Sequence, residues 1–192
     1  MNQVPQTDSL EKAHEALRDE RWELAAEFAR LALKQAELTK QESGAALAHF
    51  ILGTALAAPV DATFAVRAEA EQHLGAALPH FLEAGEHDLA GEAQCLLGGL
   101  AVVRARERGD MGCMQSAADH YREAIGCFVR GEDLESRCTA LHRARIHATG
   151  YCLSSRGNVR TAASVSGLAH CRSSRHTRTG WAAARCSRCV SI

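Results

Sequence analysis

The sequence predicts an all-α fold. Apolar side chains make up 46% of the 192 residues but aromatics only 5%, and alanine supplies much of the apolar content. Such a core is built by helices whose backbones approach closely, because strands favour the β-branched and aromatic side chains that are scarce here. Proline occurs three times, which permits long helices. A helical rhythm then recurs. Ala117, Tyr121 and Ala124 are spaced by four and three and share one helical face. Small, large, small is a packing pattern, with a bulky ring standing between two points where another backbone can come close. The rhythm returns at Ala70, Leu74 and Ala77 and, with a small middle residue, at Ala25, Ala29 and Ala32. The first members lie 45 and 47 residues apart, and a near-constant period of this size marks a helical repeat array.

About seven helices are expected. Residues 1–7 are polar and read as a flexible lead-in. Asp8 and Glu11 have capping-box spacing, and Leu10, Ala13, Ala16 and Leu17 form an apolar stripe, so helix one is set at 8–20. Trp22, Leu24, Phe28 and the three alanines of the rhythm drive a second helix to Leu38. Gln41 to Ala57 forms a third, interrupted by Pro59, Val60 and Asp61. The fourth runs from Thr63 to Ala84 with Pro79 inside it, where a kink or a break is expected, and Gly85 ends it. Asp88 is expected to cap a fifth helix reaching Arg108, followed by a turn at Gly109 to Gly112. Cys113 to Arg130 makes a sixth, Gly131 ends it, and Asp133 caps a seventh to Thr149. Short connections favour antiparallel neighbours, so six helices make three pairs with one helix over. A lone pair cannot bury both of its faces, so the pairs stack.

With those residues in place, 8–149 resembles the tetratricopeptide repeat family. The second helix of that family carries a small, a bulky and a small residue at the spacing of Ala117, Tyr121 and Ala124. Its first helix carries Leu-Gly followed by a bulky residue. Leu52-Gly53 with Leu56 matches, and Leu97-Gly98 matches with Ala101 in the bulky place; the two pairs are 45 residues apart. The period exceeds the family's usual length of about 34, as in its extended variants, and the first pair lacks Leu-Gly. The resemblance implies a superhelix of antiparallel pairs, with a concave surface lined by first helices on which a peptide or protein partner docks. Phe50, Thr54, Cys95, Gly99 and Val102 flank the Leu-Gly pairs and are the groove candidates; the alternative is that Phe50 and Val102 are core. A plain helical bundle is the alternative fold.

Length and charge set further bounds. The chain suits one domain with ample core. Its N-terminus lacks the basic and apolar regions of a secretory signal. The longest apolar run, Ala45 to Val60, is broken by His49 and Thr54 and is too short to cross a bilayer. A cytoplasmic protein with reduced thiols and no membrane partner is expected. All 23 acidic residues precede residue 150, whereas 150–192 carry seven arginines and no lysine.

Chemistry has no positive signal. There is no H-E-x-x-H, no glycine-rich phosphate loop and no nucleophile elbow. Cys138 and His142 are four apart and His73 and His80 seven apart, spacings that share a face but supply no third ligand nearby. Arg104, Arg106 and Arg108 could meet an acidic partner and otherwise make a solvated helix end. Cys186 and Cys189 form a lone C-x-x-C behind His170, Cys171 and His176, a spacing that fits no zinc module. No catalytic residue, metal or cofactor is expected.

The composition switch near residue 150 suggests a tail that is poorly ordered, or an out-of-frame extension of a truncated repeat protein. The apolar face of helix seven would then be uncovered and open to self-association. The expected function is a non-catalytic scaffold or adaptor. A regulatory or sensor module, or a fragment of a longer protein, is second. Nucleic-acid binding through the basic tail stands third and is not the expected role.

Overall fold

The computed structural model describes residues 6–131, Ser136 and residues 139–141. Among them every regular element is helical: α1 (Gln6–Arg18), α2 (Trp22–Thr39), α3 (Glu42–Ala57), α4 (Phe64–Ala84), α5 (His87–Arg108) and α6 (Met111–Arg130). Ser136 and residues 139–141 are helical too. The rest of the expected seventh helix, with Cys138 and His142, lies outside the described residues, as do residues 1–5 and 150–192.

Several helix ends have a visible local cause. Thr63 caps α4 by accepting from the Val66 N–H at 3.4 Å, and Asp110 caps α6 by accepting from the Gly112 N–H at 2.8 Å. Caps of this kind contribute about 1 kcal/mol each. Gly85 and Gly109 end α4 and α5 in the left-handed region, at φ 74° and 65°, where a side chain is costly. Lys40 ends α2 in the same conformation, φ 55°, and its N–H reaches the carbonyls of Ala36 and Glu37.

Three local expectations need correcting. Asp8 is not a cap: α1 starts at Gln6, and the Asp8 carboxylate takes the Lys12 ammonium at 2.8 Å instead. Asp88 is not one either, because α5 starts a residue earlier behind Glu86, leaving Asp88 in the first turn where its charge complements the helix dipole. Finally, of the kink or break expected at Pro79 the break does not occur, since α4 runs continuously through it. Pro79 and Gly75, the residue whose carbonyl loses its helical donor, are both exposed, so water can take that carbonyl.

Successive helices run antiparallel. Gly91 and Gly98 of α5 meet Phe128 and Tyr121 of α6, so position rises on one helix as it falls on the other. Gly53 meets Leu74 and Phe50 meets Phe81 across α3 and α4 in the same sense. Between pairs, Arg67 of α4 salt-bridges Glu107 of α5, and Glu71 takes Arg104 at 2.5 Å. The first helices also approach one another, α1 beside α3 and α3 beside α5. Second helices α2 and α4 are linked at their surface by Arg30 and Glu69, 3.1 Å apart. One core cluster runs from Ala13 and Ala16 of α1 through α5 to Cys127. A second joins Cys95, Ala101 and Val102 of α5 to Ala117, Tyr121, Ala124, Ile125 and Phe128 of α6, and includes Ala140.

Candidate functional site

The recurring small and bulky residues of the second helices are buried without exception. Ala25, Ala29, Ala32, Ala70, Leu74, Ala77, Ala117 and Ala124 are fully enclosed, and Tyr121 is 1% exposed. Leu52, Gly53, Leu97 and Gly98 of the first helices are buried as well. The two sets meet. A methyl added at Gly53 would lie 2.7 Å from Leu74 Cγ and 3.1 Å from the Ala70 carbonyl oxygen; at Gly98 it would lie 3.0 Å from the Tyr121 ring. Each glycine is therefore the seat of the bulky residue from the partner helix; a side chain at Gly53 would force Leu74 to shift, and one at Gly98 would press the Tyr121 ring by a few tenths of an ångström.

The expected groove floor divides differently. Phe50, Cys95 and Val102 are buried. Phe50 stands edge-on to Phe81 with ring centres 5.7 Å apart, while Cys95 and Val102 belong to the cluster around Tyr121. They are core residues, because α3 and α5 are each enclosed between two second helices and keep only a narrow strip accessible. Thr54 and Gly99 remain on that strip, half-buried. They are 45 residues apart and each directly follows the repeat glycine, so they occupy equivalent places on neighbouring first helices. The Thr54 hydroxyl donates to the Phe50 carbonyl at 2.8 Å. At Gly99 the nearest atom to an added methyl would be the Tyr121 hydroxyl oxygen at 3.9 Å, ordinary contact.

Two of the three arginines at the end of α5 are engaged within the chain. Arg104 takes Glu71, and Arg108 lies 4.3 Å from the centre of the Phe64 ring. Burial opposes the charge on Arg104, but the Cys113 and Glu71 side chains more than offset this and hold it above its ordinary value. Arg106 is exposed.

Two polar pairs escaped the sequence reading. His49 of α3 and His73 of α4 bring their Nδ1 atoms to 2.8 Å, with ring centres 5.0 Å apart. His120 of α6 places Nδ1 2.7 Å from Oε1 of the buried Gln94 of α5. His49 and Gln94 are 45 residues apart, each four before the repeat glycine; His73 and His120 are 47 apart, each directly before the bulky residue. One polar bridge thus recurs at the same place in two successive pairs. Burial is the largest influence on all three imidazoles and holds each below the ordinary histidine value. The polar residue four before Leu-Gly's glycine and the His before the bulky residue were the available signal, but a pattern built on apolar periodicity passes over both.

His73 is engaged by His49, and among the described residues no three His, Cys, Asp or Glu side chains are placed to hold a metal ion. The C-x-x-C and its neighbouring histidines lie outside the described residues. Among those described, no helix is long and apolar enough to cross a membrane. Comparison with protein-family models, curated proteins and solved structures returned no match.

Proposed function

We propose that this chain is a non-catalytic scaffold: a tetratricopeptide-like array of extended repeats that holds a peptide or protein partner along its first helices. The carrying observation is the adjacency of α1, α3 and α5, with Thr54 and Gly99 at equivalent accessible places on neighbouring helices. First helices drawn together on one side, with Arg30 and Glu69 linking second helices α2 and α4 at their surface, favour a superhelix whose inner surface is made by the first set. Small residues on that surface leave room for a ligand backbone, which suits an extended or helical peptide. The motif match and the seating of Leu74 on Gly53 and Tyr121 on Gly98 support the same family reading. A cytoplasmic setting fits the thiols of Cys113 and Cys127, which form no disulfide with each other.

The test is selection of peptides from a displayed random library on the full chain, followed by affinity measurement on variants. Thr54→Arg and Gly99→Arg fill the accessible strip without entering the core, and each should weaken binding about tenfold or more, a loss of ~1.4 kcal/mol. Glu123→Arg, on the exposed outer face of α6, should leave it unchanged. Binders indifferent to both strip variants, or lost on removal of residues 150–192, would refute the proposal.

A further inference from the structure

The His49–His73 bridge differs from its counterpart in the next pair in the number of protons it can hold. In the Gln94–His120 bridge the amide oxygen accepts from His120 Nδ1–H whether the imidazole is neutral or charged. The contact survives protonation. Between His49 and His73 two ring nitrogens face each other at 2.8 Å, and one must donate while the other accepts. A single added proton still allows this. A second turns both Nδ1 atoms into donors and sets two positive rings against each other.

We propose that the His49–His73 bridge is an acid-labile seam that loosens α3 from α4, and so α1–α3 from α4–α6, more than acid loosens α5 from α6. The surroundings are mixed in charge. From α2, Glu37 favours charge on His49, whereas Arg30 opposes it on His73; from α4, Glu69 favours charge on His73, its Oε1 being 3.8 Å from Nε2, and His80 opposes it on His49. Burial outweighs these and holds both rings below the free value of 6.5. The sign follows. The unfolded or opened state binds more protons than the closed one, so the stabilisation is complete above pH 6.5 and is lost as pH falls below it. In an array whose repeats contact only neighbours, such a loss opens locally before it opens globally.

Amide hydrogen exchange on the full chain at pH 7.5 and pH 5, corrected for the intrinsic pH dependence of exchange, tests this directly. Protection of α3 and α4 should fall about tenfold or more relative to α5 and α6. His49→Gln installs the amide used at the equivalent position of the next pair and should abolish that selective loss. Equal loss in the variant, or uniform loss along the wild-type chain, would overturn the proposal. Imidazole nitrogen titration of the wild-type chain stands independently of whether the variant folds. His49 and His73 should protonate in two separated steps, and two independent titrations in the ordinary histidine range would contradict the seam.

Discussion

Gly53 and Gly98 owe their smallness to what faces them. Leu74 and Tyr121 occupy the space a side chain would need, and the Ala70 carbonyl behind Gly53 is backbone that cannot swing aside. Gly75, by contrast, is exposed in the middle of α4 with nothing within 4 Å of an added methyl. The same substitution should therefore act with opposite sign. Gly98→Ala gains ~1 kcal/mol of helix propensity but overpacks against Tyr121 at a cost of ~1–3 kcal/mol, and should lower stability in urea unfolding. Gly75→Ala should raise it by ~0.5–1 kcal/mol. A stabilised Gly98→Ala would mean that the Tyr121 ring yields freely, and the seat would lose its meaning. At this scale the packing residues were readable, because a periodic spacing of small and large side chains is written directly in the chain. For Phe50 and Val102 the sequence left groove and core open, and Cys95 was read as groove alone, since which side of α3 and α5 a neighbouring helix covers is a tertiary fact absent from local spacing.

The helices show what sequence can and cannot fix about an element. Their existence and order were legible from apolar stripes and from Gly85, Gly109 and Pro59. Their first residues were less so. Asp8 and Asp88 both looked like caps, yet each lies just inside its helix, with Asp8 drawn to Lys12. A carboxylate near a helix start is stabilising at several positions, so its presence does not single out one of them. Lys40 was unreadable for a different reason. Nothing in its identity announces a left-handed φ of 55°, a conformation imposed by the tight reversal between α2 and α3. Lys40→Gly should relieve about 1 kcal/mol of Cβ strain, partly offset by the greater freedom of glycine in the unfolded chain. Thermal unfolding should shift upward by ~2 °C. No shift, or a decrease, would show that the lysine side chain contributes more than its backbone costs.

For the whole molecule, the near-constant period does more than place helices in order. It sets Gly53 beside Leu74 and Gly98 beside Tyr121, puts His49 against His73 and Gln94 against His120, and aligns Thr54 with Gly99 on adjacent first helices. The packing, the polar bridges and the accessible strip are therefore one repeating geometry, with chemistry varied at single positions within it. The scaffold reading takes the strip as the place where that geometry meets a partner. Backbone chemical-shift mapping of the full chain, titrated with a selected peptide, tests it most directly. Perturbations should concentrate at Thr54, Gly99 and their neighbours on α3 and α5. Perturbations confined to the outer faces of α2, α4 and α6, or to residues 150–192, would contradict it.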